Sequence, residues 1–179
     1  MKARASVSPA DPAVLAAPLE GLPPLLSPAA RLVVLGSFPG GQSLALQRYY
    51  AHPQNHFWKI LSALWQTDLV AMDYPERTAE LRRRGLGLWD VYAACEREGS
   101  LDANIRNAQP NDLTLLRRRC PQLQAVAHNG GESFRHARHT LALGLAVHRL
   151  PSTSPANASW SFERKLDAWR DVFTLYGLA

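Results

Sequence analysis

Residues 32–58 read LVVLGSFPGGQSLALQRYYAHPQNHFW, and this stretch decides which fold the chain is expected to adopt. A short apolar run at 31–35, bounded by Gly and Pro, is typical of a buried strand. The Gly/Pro turn at 36–41 follows the carboxyl end of that strand, where open α/β sheets place their ligands. Adjacent tyrosines, histidine and two side-chain amides come next without a carboxylate. This combination indicates a functional segment rather than a plain connection.

The rest of the chain alternates between helical and strand patterns. Phe57, Ile60, Leu61 and Leu64 follow the i, i+3, i+4, i+7 spacing of an amphipathic helix. Periodicity predicts strands at 31–35, 86–92, 123–127 and 147–150, and helices at 56–66, 75–84, 111 or 112 to 119, 132–143 and 160–176. The polar stretch 95–112 is predicted to be a loop. This alternation favours a mainly parallel sheet with helices on both faces.

Three of the predicted strands end in turns that are rich in Gly, Pro, Asn or Ser. These turns are 36–41, 128–131 and 151–157. The carboxyl ends of neighbouring parallel strands lie at the same edge of a sheet. We therefore expect the three turns to gather there and to form the functional site.

Length and composition limit the class of protein. The 179 residues suit one domain, 31–179, preceded by an Ala- and Pro-rich leader, 1–30. Two cysteines, Cys95 and Cys120, are too few for an iron–sulfur cluster of the usual kind and predict buried free thiols in the cytoplasm. No apolar run approaches the ~20 residues that a membrane span needs. The net charge of +5 favours a polyanionic partner.

The motifs resemble those of the uracil-DNA glycosylase superfamily, and more narrowly its hypoxanthine (deoxyinosine) DNA glycosylase branch. The resemblance rests on Gly-Ser-Phe-Pro at 36–39 and Tyr-Tyr-Ala-His-Pro-Gln-Asn at 49–55. His-Asn-Gly at 128–130 and Ser-Thr-Ser-Pro at 152–155 follow in the order of the later family motifs. The resemblance implies a three-layer α/β/α sandwich and a monomeric, cofactor-free DNA glycosylase that removes a flipped, deaminated base from DNA.

The expected chemistry needs a positioned water, donors for the departing base and an exposed nucleotide. Hypoxanthine and uracil are lactams that leave as stabilised anions, so a site built from amides, without an acid–base carboxylate, would suffice. Asn55 matches the catalytic Asn of the family and would hold the water by orientation. Gln54 is its nearest rival, and a plain helix cap is the alternative role for Asn55.

Other site residues are assigned from the same motifs. Asn129 matches a second functional Asn and could read the lactam edge through its amide, although Asn-Gly is also a common turn pair. The base pocket is expected at Gly36, Ser37, Phe38, Pro39, Gly40, Tyr50, His52 and Phe57. The DNA-binding loop is expected at Ser152, Thr153, Ser154, Pro155, Ala156 and Asn157, and none of these residues is a large apolar wedge.

Rival interpretations remain at this stage. His52 and His56 lie four residues apart, but Pro53 separates them and no third ligand is indicated, so we expect no metal. The five Trp residues are expected in the core. The enzyme could instead prefer uracil or a mismatch. A non-catalytic nucleic-acid-binding module on the same fold is the alternative from another class.

Overall fold

The computed structural model describes residues 17–179 of the chain, and four parallel strands form its centre. In chain order the elements are β1 (Leu19–Glu20), β2 (Leu32–Gly36), α1 (Gly41–Leu46), α2 (Phe57–Trp65), α3 (Tyr74–Arg84), β3 (Leu86–Asp90), β4 (Tyr92–Glu96), a 3₁₀ turn (Asp102–Asn104), β5 (Arg106–Pro110), α4 (Leu115–Arg119), β6 (Ala125–Asn129), α5 (Gly131–Phe134), α6 (Ala137–Leu141), β7 (Ala146–Leu150) and α7 (Phe162–Leu175). The parallel sheet has the order β3-β2-β6-β7, so the strand that carries the Gly/Pro turn lies between two neighbours.

Side chains of β2 alternate between two hydrophobic cores, one on each face of the sheet. Leu32 and Val34 point into the first core, and Val33 and Leu35 point into the second. All four are fully buried, which is why the strand reads as an unbroken apolar run. Cores on both faces, each covered by helices, make the predicted three-layer α/β/α sandwich, and this expectation is confirmed.

Helices α2 and α7 pack together on the first face because each presents an apolar stripe. Phe57, Ile60 and Leu61 on α2, and Trp169 and Phe173 on α7, have no exposed surface. Burial of side chains of this size contributes about 1.5–3 kcal/mol each. This packing fixes the start of α2, directly beside Asn55.

A second, antiparallel sheet has the order β1-β4-β5 and corrects the predicted loop at 95–112. The sequence of β5 is polar because four of its five residues are exposed on an edge strand, so its pattern lacks the usual apolar alternation. The part of the predicted leader that the structure describes packs on the domain. Leu22, Leu26 and Ala30 are buried, and β1 pairs with β4. Residues 1–16 of the predicted leader lie outside the described residues.

Two other predicted elements are divided in the structure. The strand predicted at 86–92 breaks at Val91, where the chain leaves the parallel sheet and enters the antiparallel one. The helix predicted at 132–143 is two short helices. The break lies at His136, whose amide donates to the carbonyl of Ser133 and whose carbonyl accepts from the amide of His139, both with i to i−3 spacing.

Cys95 and Cys120 are buried free thiols, as predicted. No helix within residues 17–179 is long and apolar enough to cross a membrane.

Candidate active site

The three predicted turns meet around one cavity of about 750 Å³ at the carboxyl ends of the parallel strands. Its walls come from the Gly/Pro turn and α1, the tyrosine segment, the ends of β3, β6 and β7, and the loops at 100–103 and 151–157. Most of the predicted site residues line it: Ser37, Phe38, Pro39, Gly40, Tyr50, His52, Asn55, Asn129, Ser152, Thr153, Ser154, Pro155, Ala156 and Asn157. Asn55 and Asn129 therefore share a cavity, as the sequence predicts.

Two residues predicted for the base pocket do not line the cavity. Phe57 is fully buried behind Tyr50, with the two rings stacked 4.0 Å apart between centroids. Gly36 lies beneath the cavity wall, and a Cβ at this position would collide with Oδ1 of Asp90. Both residues thus shape the pocket without lining it. Phe57 supports the Tyr50 ring, and Gly36 leaves room for the carboxyl group of Asp90.

Asn55 combines a structural contact with a place in the cavity wall. Its Oδ1 accepts a hydrogen bond from the amide of Phe57 at 2.9 Å, which closes the turn just before α2. This contact matches the predicted capping role. A carbonyl oxygen has two lone pairs, so the cap leaves one acceptor site on Oδ1. The half-buried side chain can accept a second hydrogen bond from the cavity side.

The side chain of Asn129 makes hydrogen bonds to other residues of the protein. Its Nδ2 donates to the hydroxyls of Tyr50 at 3.1 Å and Thr153 at 3.0 Å, and its Oδ1 accepts from the amide of Thr153 at 3.0 Å. Both amide hydrogens are thus used in this structure. These contacts favour a role in holding neighbouring groups over direct reading of a base edge.

Thr153 joins the three segments of the site. Besides its bonds to Asn129, its carbonyl oxygen accepts from the amide of His56 at 3.0 Å, and its side chain is fully buried. Gly130 permits this approach, because it has a φ of +98° and a Cβ there would lie 3.0 Å from Cβ of Ser152. The Ser/Pro loop is therefore bonded to both Asn-containing segments.

Tyr50 has a backbone conformation that is uncommon for a bulky side chain. Its φ is +53°, in the left-handed region, and its ring lies between Phe57 and the cavity. Burial raises the pKa of Tyr50, and the hydroxyl already accepts from Asn129. The protonated hydroxyl can therefore donate a hydrogen bond. Tyr49, next to it, is buried in the core and also contacts the cavity.

Two carboxyl groups that were not assigned to the site from the sequence also line the cavity. Asp90 and Asp102 both line the cavity, and burial raises the pKa of each. Oδ1 of Asp102 accepts a 2.7 Å hydrogen bond from Ser37. Asp90 has 5% of its surface exposed, and its Oδ2 has no hydrogen-bond partner among residues 17–179. Sequence reasoning missed Asp90 because it placed this residue inside a strand rather than at its end.

The segment 99–102, part of the polar stretch predicted to be a loop, forms part of the cavity rim. Oγ of Ser100 accepts from the amide of Gly41 at 2.9 Å, and Asp102 accepts from Ser37. Leu101, between these two anchored residues, lines the cavity and has 52% of its surface exposed. The structure thus places an exposed apolar side chain at the cavity rim. The DNA-binding loop expected from the sequence contains no such side chain.

Aromatic residues near the cavity differ in how much surface they offer. Phe38, predicted to stack on a base, is only 6% exposed, and the guanidinium of Arg97 lies 5.2 Å from its ring centroid. Four Trp residues are buried as predicted, but Trp160 is half-buried and lines the cavity.

Within residues 17–179, no group of three or more His, Cys, Asp or Glu side chains could hold a metal ion.

Comparison with known proteins gives consistent matches over most of the chain. The family model of the uracil DNA glycosylase superfamily matches residues 23–173. A hypoxanthine DNA glycosylase of Methanosarcina barkeri is 34% identical over 154 residues, which cover 86% of this chain and 97% of the relative. The protein of the same name from Methanosarcina acetivorans is 33% identical over 153 residues, covering 86% of this chain and 96% of the relative.

A solved structure also matches. The solution NMR structure of a provisionally named uracil DNA glycosylase from Methanosarcina acetivorans superimposes with a TM-score of 0.80 at 32% sequence identity. The alignment covers 88% of this chain and 98% of that protein. Sequence and fold therefore point to the same group of proteins.

Proposed function

Since the chain belongs to the uracil DNA glycosylase superfamily, we propose that it is a monofunctional DNA glycosylase that hydrolyses the N-glycosidic bond of hypoxanthine (deoxyinosine) in DNA. The observation that carries this proposal is the shared cavity, in which Asn55, the Gly/Pro turn and the Ser/Pro loop meet. The names of the two relatives support hypoxanthine as the base. The proposal includes DNA as the partner and a monomeric enzyme.

In this proposal Asn55 positions the attacking water. As the bond between sugar and base lengthens, the sugar becomes oxocarbenium-like and the base carries away the electron pair. A water held by the free lone pair of Asn55 Oδ1 would lie ready to attack the sugar carbon. The amide orients this water without taking its proton, which is sufficient when the leaving group is a stabilised anion.

Asn129 would act by holding two other groups. Its contacts fix the hydroxyl of Tyr50 at the cavity wall and the backbone of Thr153 in the DNA-binding loop. Small hydroxyl side chains and prolines in 152–157 suit contact with the DNA backbone near the lesion. A flipped base is usually bound between apolar or aromatic walls with hydrogen bonds to its edge, and the Tyr50 ring provides such a wall here.

Base release from defined oligonucleotides tests the proposal. Duplexes carrying a single hypoxanthine, uracil, xanthine or mismatched thymine are incubated with excess protein and then treated with alkali, which breaks the strand at an abasic site. We expect alkali-dependent breakage, fastest for hypoxanthine. Faster release of uracil or mismatched thymine would change the assigned substrate. Tight binding without any breakage would instead support a non-catalytic module.

A further inference from the structure

A buried carboxyl group faces the cavity without a partner. The residue Asp90 is 5% exposed, lines the cavity and ends β3. Its Oδ2 is buried and has no hydrogen-bond partner among residues 17–179. An unsatisfied buried polar atom costs about 1–3 kcal/mol, so its retention in a cavity wall needs an explanation. A neutral carboxyl group would explain it, because an ionised carboxylate oxygen is the costlier group to bury without a partner.

The backbone holds Asp90 in a defined position. The amide of Val91 donates to the carbonyl of Gly36 at 2.9 Å, and Nδ2 of Asn111 donates to the carbonyl of Asp90 at 2.9 Å. Because Gly36 has no Cβ, Oδ1 of Asp90 can occupy the space above it. The backbone on both sides of Asp90 is therefore fixed by hydrogen bonds, which limits where its carboxyl group can lie.

The surroundings of Asp90 favour its neutral form. Burial and the nearby Asp102 raise its pKa to about 7, against a smaller opposing effect of Arg97. The Arg97 guanidinium donates through Nε to the carbonyl oxygen of Gly99 and through Nη2 to that of Pro39, while its buried Nη1 has no hydrogen-bond partner among residues 17–179. Tyr49 and Tyr50 are the other titratable neighbours, and both stay protonated because burial raises their pKa values. His52 and Arg149 complete the titratable or charged groups among the cavity-lining residues.

The charge of the leaving group decides which form of Asp90 is useful. When the glycosidic bond breaks, its electron pair passes to the base, and negative charge spreads onto the conjugated carbonyl oxygen. An ionised carboxylate at this place would repel the departing anion. A neutral carboxylic acid would instead donate a hydrogen bond to the oxygen on which charge develops, as an oxyanion-type donor does.

We propose that Asp90, as a neutral carboxylic acid, binds the lactam edge of the flipped base and stabilises the base as it leaves. The oxygen of Asp90 that reaches the cavity carries the proton and donates to the base carbonyl, while the buried Oδ2 stays behind it. The proton stays on Asp90 throughout; the attacking water gives its hydroxyl group to the sugar carbon, and its remaining proton goes to the departing base anion. This inference rests on the proposed glycosylase function and adds a specificity-determining group to it.

The proposal fixes the sign of the pH dependence. Asp90 is neutral below its raised pKa of about 7 and ionised above it. Base release from hypoxanthine-containing DNA is therefore expected to fall as the pH rises through about 7, with a slope of about one proton.

Single-turnover rates of base release from about pH 5 to pH 9 provide the test. Asp90→Leu removes the donor and is expected to lower the rate by about 10²–10³-fold. Asp90→Asn keeps a donor and an acceptor but does not titrate. It is expected to restore most of the rate lost in Asp90→Leu and to flatten the alkaline fall. If Asp90→Asn is as inactive as Asp90→Leu, Asp90 works as a carboxylate and the proposal is overturned.

A variant that leaves Asp90 in place separates this result from misfolding. Asp102→Asn keeps an acceptor for Ser37 and removes the neighbouring negative charge. It is expected to move the alkaline fall to lower pH, whereas an unmoved profile would contradict the proposal. If the unaltered protein releases no base from any oligonucleotide, the glycosylase function itself fails. Normal release with a rate constant independent of pH overturns the assignment of Asp90 alone.

Discussion

At the scale of single residues, Asn55 has two roles that substitution can separate. Asn55→Ala removes the acceptor that orients water and should lower the single-turnover rate of base release by about 10²-fold. It should also cost about 1 kcal/mol of stability, because the amide of Phe57 loses its partner. DNA binding should change little, because the water acts in the transition state. Oligonucleotide cleavage, thermal unfolding and binding measurements together check these outcomes.

Asn55→Ser is the matched control for this prediction. Serine retains a short oxygen acceptor for the Phe57 amide, so stability should recover while base release stays low. A near-normal rate in Asn55→Ala would show that another residue positions the water. Gln54, exposed on the neighbouring turn, is the first alternative to substitute in that case.

Residues also show where sequence reasoning about the site reached its limit. The Gly/Pro turn, Asn129 and the Ser/Pro loop could be placed together because each comes at the end of a predicted strand, and parallel strands share an edge, whereas Asn55 was assigned from its match to the family motif. Asp90 follows the same rule, since it ends β3, but the predicted strand 86–92 ran past it into the next element. An error of two residues in a boundary thus hid a carboxyl group. The internal contacts of Asn129 depend on side-chain positions that no local pattern encodes.

At the scale of elements, the rim segment 99–102 presents Leu101 as an exposed apolar side chain, and we expect it to fill the space left by a flipped base. Its neighbours are anchored to the Gly/Pro turn, so the exposed side chain is presented on a fixed support. Leu101→Ala should lower base release from duplex DNA several-fold and leave release from single strands nearly unchanged, because single-stranded nucleotides need no extrusion. Parallel assays with duplex and single-stranded hypoxanthine oligonucleotides measure the difference.

Leu141→Ala is the control for this comparison. Leu141 is similarly exposed, at 57%, but does not line the cavity. It should leave both assays unchanged. Equal loss in duplex and single strands for Leu101→Ala would mean that Leu101 shapes the pocket rather than the DNA.

Elements whose pattern was strong were predicted well, and those with polar sequences were not. The buried strand β2 and the amphipathic helices α2 and α7 follow from their apolar spacing. The edge strand β5 contains Arg106, Asn107, Gln109 and Pro110, and it exists because β4 pairs with it, not because of its own propensity. Tertiary pairing of this kind cannot be read from a local window.

At the scale of the whole molecule, the net charge of +5 should govern how binding responds to salt. If the protein neutralises about three phosphates, its affinity for DNA should fall roughly 40-fold between about 50 and 200 mM salt. Fluorescence anisotropy with a labelled duplex measures this slope. The same duplex without a lesion should show a similar slope, since phosphate contacts do not depend on the base. An affinity independent of salt would argue against DNA as the partner.

The passage of the chain from β3 to β4 through Val91 has a consequence for how the protein fluctuates. One extended segment belongs to both sheets, and its amides at Val91 and Tyr92 donate to the carbonyls of Gly36 and Ser37 in the turn. The two sheets can separate only if these two hydrogen bonds break. Exchange of the Val91 and Tyr92 amide hydrogens with solvent is therefore expected to require opening of both sheets, and to be among the slowest in the molecule.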